Sequence, residues 1–167
     1  MKGNKKTKRK KKRVVVILED IRSAHNVGSI FRTADAAGFE KVYLCGITPE
    51  PIDRLGRTPP ALLKASLGAE RFVSWEKVSR ATVCIKKLKK EGWRIYALEQ
   101  HKGAMDYKKK ISGQKIALVL GNEVLGVSPE ALREADRICE IPMSGKKESL
   151  NVSVAFGIMA FRLRDSL

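Results

Sequence analysis

The chain has 167 residues, about the size of one ordinary domain and too short for two full-sized ones. Its 43% hydrophobic and 31% charged residues are a globular composition, and no apolar run reaches the roughly 20 residues that a membrane span needs. A net charge of +16, from 34 Lys and Arg against 18 Asp and Glu, indicates a polyanionic partner. We therefore expect one soluble, cytoplasmic domain.

The chain begins with a basic tail. Nine of the first thirteen residues are Lys or Arg, and none is acidic. Because this segment has almost no apolar surface to bury, the entropy cost of ordering it is not offset, and we expect residues 1–13 to be disordered. Such a tail either contacts a polyanion such as RNA or only adds non-specific charge. The folded domain is predicted to cover residues 14–167.

Short aliphatic runs recur along the chain and predict strands. The first, at residues 14–18, is continuous and rich in valine, which is typical of a strand buried on both faces of a parallel sheet. Further strands are predicted at residues 41–45, 71–74, 94–98, 116–120 and 137–141. Residues 48–60, with four of the six prolines, are predicted to form a loop.

Segments of helical period separate most of these strands. One of them places four apolar residues on one face and then reaches a glycine, namely Val78, Ala81, Ile85, Leu88 and Gly92. Strands that alternate with helices predict an α/β fold in which a mostly parallel sheet is flanked by helices.

The cysteines and histidines do not predict a metal centre. Cys45, Cys84 and Cys139 lie far apart in the sequence, and we expect all three to be reduced core residues. His25 and His101 have no nearby Cys or carboxylate cluster at ligand spacing. We therefore expect chemistry that uses no metal ion.

The helix that follows the first strand has an apolar side and a polar side. The apolar side consists of Val27, Ile30, Phe31, Ala34 and Ala37, within about 120° of arc. The polar side consists of Asn26, Ser29, Arg32 and Thr33. Two interpretations stay open: an ordinary amphipathic helix with Asn26 as its N-cap, or a guanidinium held beside polar groups to bind phosphate.

Two later segments each combine a strand, a turn and a helix. Gly121 and Gly126 follow the strand at residues 116–120, at a spacing that fits neither a dinucleotide-binding fingerprint nor a P-loop, so this turn is a ligand loop or merely a tight turn. Residues 141–155 lead into a last helix that is apolar on nearly all sides from Leu150 to Phe161. We expect a second subunit to cover it across a two-fold interface, the alternative being a helix buried centrally in one chain.

Together these segments resemble the three motifs of one enzyme family. Residues 26–33, residues 118–123 with Gly126, and residues 141–155 are similar, in order and at compatible spacing, to the motifs of the SpoU/TrmH group of the SPOUT superfamily, which methylates RNA ribose 2′-hydroxyls. The resemblance covers residues 14–164. It implies the SPOUT fold with a deep trefoil knot in the C-terminal half, S-adenosylmethionine as the cofactor, and a homodimer.

The resemblance also implies site residues. The implied cofactor-binding residues are Leu98, Glu99, Leu120, Gly121, Asn122, Gly126, Ile141, Met143, Leu150 and Asn151. The implied catalytic residues are Arg32, Asn26, Glu123, Ser149 and Asn151. Arg32 would bind phosphate and stabilise the developing alkoxide, because a guanidinium is almost never neutral. Asn26 would position the ribose or Arg32, and Glu123 would orient Arg32 by a hydrogen bond. Ser149 and Asn151 would complete a polar wall.

The substrate is predicted less closely than the reaction. We favour tRNA, with rRNA as an alternative, and the basic surfaces available to bind either are the tail, Lys86–Lys90 and Lys108–Lys110. Two other functions stay open: a non-catalytic RNA-binding or ribosome-assembly protein with the same fold, and an RNA base methyltransferase. Cofactor binding would separate the first from an enzyme, and the position of the methyl group would identify the second.

Overall fold

Seven parallel strands form a single sheet in the computed structural model, which describes residues 12–165. The strands are β1 (Arg13–Glu19), β2 (Lys41–Cys45), β3 (Ser74–Val78), β4 (Arg94–Leu98), β5 (Met105–Asp106), β6 (Lys115–Leu120) and β7 (Arg137–Glu140). Their order across the sheet is β3-β2-β1-β6-β4-β7-β5, and every neighbouring pair is parallel. The predicted parallel α/β sheet is confirmed.

Helices cover both faces of the sheet. They are α1 (Ala24–Ala37), α2 (Pro60–Ser66), α3 (Ala81–Lys90), α4 (Pro129–Glu134) and α5 (Val152–Asp165), with a short 3-10 turn at Ala69–Arg71. Helices α1, α2 and α5 pack on one face, and α3 and α4 pack on the other. None of the helices over residues 12–165 has both the length and the apolar character that crossing a membrane requires.

Strand β1 lies inside the sheet between β2 and β6, which explains its uninterrupted aliphatic sequence. Its side chains alternate between the two layers: Val14, Val16 and Leu18 join the core beneath α1 and α5, whereas Val15 and Ile17 join the core beneath α3 and α4. Because both faces are covered, no position from 14 to 18 can be polar without burying that group.

Helix α1 begins at a serine cap. The Ser23 side chain accepts a hydrogen bond from the Asn26 N–H, so the interpretation of Asn26 as the N-cap is wrong. The helix ends at Gly38, which is left-handed at φ 73° and donates its N–H to two carbonyls of the last turn. At Gly28 the helix lies so close to α2 that a Cβ would collide with the Leu62 carbonyl.

Three predicted boundaries were wrong. The strand expected at residues 71–74 is instead Ser74–Val78, a sheet-edge strand in which every residue is at least partly exposed and two are charged, rather than a continuous apolar run. Val78 therefore belongs to β3 and not to the α3 stripe. Arg13 belongs to β1, so only residues 1–11 of the predicted tail lie outside the described residues.

Helix α5 packs on the sheet with one side and leaves the other side open in the single chain. Phe156, Met159 and Leu163 are buried, and Phe156 meets Phe39 edge-on at 5.1 Å. Val154 is 51% exposed and Phe161 38% exposed on the open side. Central burial within one chain is therefore wrong, whereas the second subunit stays a prediction, as does the trefoil knot.

The remaining core predictions can be checked directly. Cys45, Cys84 and Cys139 are free thiols and all three are buried, as expected. Burial raises the pKa of the Cys139 thiol to about 11, so it is not a thiolate at neutral pH. The loop predicted for residues 48–60 is free of helix and strand as far as Pro59, and α2 begins at Pro60.

Candidate functional site

A cavity of about 420 Å³ opens at the carboxyl edge of the sheet, where the strands end. It lies over β4, β6 and β7, and the start of α5 closes one side. Its lining residues are 98–100, 120–124, 126, 141, 149–152 and 155. The two later segments singled out in the sequence thus meet the loop after β4 at one cavity.

The loop after β4 ties the other loops of the cavity together. The Glu99 carboxylate accepts hydrogen bonds from the N–H of Val127 at 2.7 Å and of Gln100 at 2.9 Å. The Gln100 side-chain amide donates to the Ile141 carbonyl at 2.7 Å. Because Val127 follows β6 and Ile141 follows β7, these bonds hold three separate segments as one rim.

Two glycines allow the loop after β6 to fold back on itself. Gly126 has φ 71°, and a side chain there would collide with the Glu99 carboxylate. A Cβ on Gly121 would overlap the backbone of Gly126 and Val127. The backbones of Asn122 and Gly126 form two hydrogen bonds with each other, of 3.0 and 2.9 Å. The turn therefore requires both glycines for its own shape.

Asn122 fixes the tip of this loop and joins it to β1. Its Oδ1 accepts from the N–H of Val124 at 2.9 Å and of Leu125 at 3.0 Å. Its Nδ2 donates to the Asp20 carbonyl at 2.7 Å. Val124 and Leu125 are held 80% and 84% exposed at the mouth of the cavity.

Glu123 binds the beginning of α1. Its carboxylate accepts from the N–H of Arg22 at 2.9 Å and of Ser23 at 3.0 Å, and from the Asn26 side-chain amide at 3.1 Å. Burial by itself raises the pKa of Glu123, but these hydrogen bonds outweigh it, so the pKa lies below its ordinary value. A carboxylate at the N-terminus of a helix is also favoured by the helix dipole.

Asn26 links Glu123 to the start of α5. Besides its bond to Glu123, its Oδ1 accepts from the Asn151 Nδ2 at 3.1 Å. Asn151 in turn caps α5, because its Oδ1 accepts from the N–H and the hydroxyl of Ser153 at 2.9 and 2.7 Å. Asn26, Glu123 and Asn151, here called the polar cluster, therefore bring all three sequence motifs together.

Arg32 lies apart from the cavity in the single chain. It is exposed on α1, and the lining residues do not include it. Arg32 lies six positions after Asn26, which is about 9 Å along a helix. Within one chain Glu123 accepts from the first turn of α1 instead of from the Arg32 guanidinium, so the expected hydrogen bond from Arg32 to Glu123 stays a prediction.

Most of the other predicted residues do meet at the cavity. All the predicted cofactor-binding residues except Met143 line it, and so do Glu123 and Ser149. Met143 is outside because the chain has left the sheet after Glu140, where β7 ends. Four further residues line the cavity and were not predicted: Gln100, Val124, Val152 and Ala155. The first three are each adjacent in sequence to a predicted residue, and Ala155 lies on the first turn of α5.

The model of the SpoU rRNA methylase family matches residues 13–161. A tRNA (guanosine(18)-2′-O)-methyltransferase of Aquifex aeolicus is 32% identical over 153 residues, which cover 92% of this chain and 69% of that protein. A 23S rRNA (guanosine-2′-O-)-methyltransferase of Xanthomonas axonopodis pv. citri is 33% identical over 148 residues, which cover 89% of this chain and 57% of that protein.

A solved structure of an rRNA methyltransferase is also similar to this chain. The AdoMet-bound rRNA methyltransferase of Sinorhizobium meliloti superposes with a TM-score of 0.83 at 30% identity, over 93% of this chain and 57% of that one. This chain thus spans 57% of the length of two of these three relatives. Since the family model matches most of its length, including all three motifs, the chain belongs to the SpoU rRNA methylase family.

Proposed function

We propose that this protein transfers a methyl group from S-adenosylmethionine to the 2′-hydroxyl of a ribose in tRNA or rRNA. The observation that carries the proposal is the cavity at the carboxyl edge, because the second and third motifs line it and the polar cluster joins the first motif to them. The Aquifex and Xanthomonas relatives are named as guanosine 2′-O-methyltransferases of tRNA and 23S rRNA.

The chemistry of the cavity fits this cofactor. Aliphatic side chains that line the cavity would supply apolar walls for a flat adenine ring, and the loop at residues 121–126 would offer backbone N–H and C=O groups to its polar edges. The aliphatic walls are Leu98, Leu120, Ile141 and Leu150. S-adenosylmethionine, when bound, supplies a methyl group on a positively charged sulfur, which is an electrophile for an oxygen nucleophile.

The protein must help a weakly acidic hydroxyl to react. A guanidinium is a poor general base, so we assign Arg32 to bind an RNA phosphate and to stabilise the negative charge that develops on the ribose oxygen, while the proton leaves to phosphate or water. Ser149 and Asn151 line the cavity and are suited to contact the ribose. Asn26 is a positioning residue, since its side chain is engaged with Glu123 and Asn151.

A two-fold dimer would bring Arg32 to this chemistry. In one chain Arg32 lies outside the cavity, and α5 leaves Val154 and Phe161 exposed. We therefore assign the open side of α5 to the dimer interface, with the partner's Arg32 facing this cavity. Light scattering should give a species near twice 18.6 kDa, and Val154→Glu should shift it to the monomer and abolish methyl transfer. A wild-type monomer at micromolar concentration contradicts this assembly.

Two measurements test the reaction. Isothermal titration should detect S-adenosylmethionine binding to the wild-type protein, and mass spectrometry of digested RNA, from cells with and without the protein, should find the methyl group on a ribose. Absence of cofactor binding would favour a non-catalytic RNA-binding or ribosome-assembly protein. A methyl group on a base would identify a base methyltransferase.

Arg32→Ala separates catalysis from cofactor binding. The variant should lose methyl transfer in a radiolabel assay, because the charge stabilisation is worth about 10² to 10³ in rate, and its cofactor affinity should stay near that of the wild type. The matched control is Arg71→Ala, an exposed arginine distant in sequence from the three motifs. Near wild-type turnover of Arg32→Ala removes Arg32 from the mechanism.

A further inference from the structure

Two lysine-rich segments of this basic chain form different kinds of surface. One is the outer face of α3, and the other is a turn after β5 formed by Lys108, Lys109 and Lys110, here called the lysine turn. Both surfaces appear in the sequence as short runs of cations, with Glu91 directly after the first run and Asp106 two residues before the second. The structure distinguishes them by what each ammonium group faces.

On α3 three of the four lysine ammonium groups already lie within 4 Å of a carboxylate, and Lys90 is the exception among the described ion pairs. Lys86 lies 3.7 Å from Glu134, Lys87 lies 3.0 Å from Glu76, and Lys89 lies 3.8 Å from Asp136. A polyanion would have to displace these carboxylates or approach against their charge. The α3 face is therefore poorly suited to bind one.

The lysine turn faces solvent and its charge is not balanced by a carboxylate of the described residues, although the Lys108 ammonium also lies 5.8 Å from the centroid of the Tyr107 ring. All three residues are exposed, and none of their ammonium groups forms an ion pair with a carboxylate anywhere in residues 12–165. Asp106, the nearest acid in the sequence, is engaged with the backbone, since its Oδ1 accepts from the Lys108 N–H at 2.8 Å. The turn therefore presents three cations in a row.

The backbone of the lysine turn is held in place from two sides. The Lys109 N–H donates to the Asp106 carbonyl at 2.9 Å, which closes the turn. The Arg162 guanidinium on α5 donates to the Lys108 carbonyl at 2.8 Å, which ties the turn to that helix and sets a fourth cation beside it. A fixed backbone lowers the entropy cost of binding an extended ligand.

The lysine turn begins at the same edge of the sheet as the cavity. Met105 and Asp106 pair with Cys139 and Glu140, and the Tyr107 N–H donates to the Glu140 carbonyl at 2.9 Å. The residue that follows Glu140 is Ile141, which lines the cavity. Lys108 thus leaves the sheet at the level where the cavity opens.

We propose that the lysine turn binds the phosphodiester backbone of the substrate RNA beside the cavity, and that the α3 lysines do not. The inference rests on the proposed function, because it takes RNA as the substrate and the cavity as the place of reaction. Lysine side chains that contact phosphates give affinity without reading bases, so this surface would hold the RNA while other contacts select the nucleotide.

The salt dependence of RNA binding tests the proposal. Each lysine–phosphate contact contributes about 0.7 to 0.9 to the slope of log affinity against log salt concentration. Fluorescence anisotropy with a fluorescein-labelled tRNA transcript, titrated at several KCl concentrations, should show that K108Q/K109Q/K110Q lowers the magnitude of this slope by about 2. Its affinity for the transcript in low salt should fall at least about tenfold.

The matched control removes the same charge from α3. K86Q/K87Q/K89Q should change the slope by less than one contact, although its net charge equals that of the first variant. Equal slopes for the two variants, or a wild-type slope for K108Q/K109Q/K110Q, overturn the proposal. Isothermal titration with S-adenosylmethionine should give wild-type affinity for both lysine variants. If the wild-type protein binds no S-adenosylmethionine, the proposed function is refuted, but the comparison of the two salt slopes is unaffected.

Discussion

The two edges of the sheet use charged side chains in opposite ways. At the carboxyl edge, Glu99 and Glu123 accept hydrogen bonds from backbone N–H groups of other loops. At the amino edge, the charged groups mostly bind each other: Arg13 pairs with Glu40 at 2.9 Å, and Glu76 pairs with both Lys41 and Lys87, at 3.2 and 3.0 Å. The carboxylates of the carboxyl edge shape loops, whereas those of the amino edge are neutralised by cations.

The difference follows from what each edge encloses. The amino edge also has a hollow, of about 290 Å³, but cations lie over its two aromatic rings, with Arg13 and Lys115 over Trp93 and with Lys41 and Lys87 over Tyr43. The carboxyl edge has aliphatic walls and backbone in tight turns instead. We infer that the carboxyl edge is shaped for a ligand and that the amino edge closes the end of the core.

The largest effect of a single substitution on the free energy of unfolding is expected at Gly121 on the carboxyl edge. A Cβ there overlaps the backbone of Gly126 and Val127, which cannot move without opening the loop. We expect Gly121→Ala to cost about 3 kcal/mol in the free energy of unfolding and to lower cofactor affinity about a hundredfold. Urea denaturation and isothermal titration measure the two effects.

Gly145→Ala is the matched control, since a Cβ at Gly145 meets nothing within 4 Å. It should leave both quantities at wild-type values. If Gly121→Ala behaves like this control, the folded-back loop is not required for the cavity.

The next effect is at Glu123, where a carboxylate binds the first turn of α1. Glu123→Ala leaves the N–H groups of Arg22 and Ser23 without this partner, and should cost about 1 to 2 kcal/mol in the free energy of unfolding. Methyl transfer should fall as well, because Asn26 loses its bond to Glu123 and holds Asn151 less firmly. The exposed Glu148, which lies on the same edge, provides the control Glu148→Ala, expected to have no effect.

The pH dependence of stability should report the same carboxylate. Its hydrogen bonds hold the pKa of Glu123 below the value of about 4.3 expected in the unfolded chain. Its contribution is therefore fully present above about pH 5 and is lost as the pH falls through the lower folded value. The difference in unfolding free energy between wild type and Glu123→Gln should be constant near neutrality and shrink below about pH 4. A difference that grows on acidification contradicts this assignment.

The smallest effect is expected at the amino edge. Hydrogen bonds from Lys87 and Lys41 lower the pKa of Glu76 although partial burial opposes them, but about a third of its side chain is exposed and water screens the pairs. Glu76→Gln should therefore cost less than about 1 kcal/mol, and the cost should disappear in high salt. Chemical denaturation in low and high KCl measures this. A loss as large as that of Glu123→Ala would show that the two edges do not differ energetically.

The central strand of the sheet could be predicted from sequence, and the strands at its two ends could not. The central strand β1 is buried on both faces, so its aliphatic run was unmistakable. Strand β3 lies at an edge with half-exposed, charged positions, and β5 has only two residues, so neither produces a clear pattern. Helix α2 begins at Pro60, and its proline made it resemble the end of the preceding loop.

The sequence predicts which residues form the site better than it predicts the hydrogen bonds that join them. The motifs identified Glu123, but its partners are mainly backbone N–H groups about a hundred residues away, which no side-chain pattern reveals. The resemblance alone predicts Arg32 beside the loop of Gly121 and Gly126, but within one chain Arg32 lies outside the cavity. Gln100 was missed because its contact is with the Ile141 carbonyl, again a backbone group.

The position of β1 has a consequence for synthesis on the ribosome. This strand emerges early and pairs with β2 soon afterwards, but its other neighbour is β6, which begins about a hundred residues later at Lys115. Throughout that interval the nascent chain carries an open, valine-rich strand edge, which is a template for unwanted association. We therefore expect a nascent chain that ends before β6 to depend on chaperones or on its own basic residues for solubility.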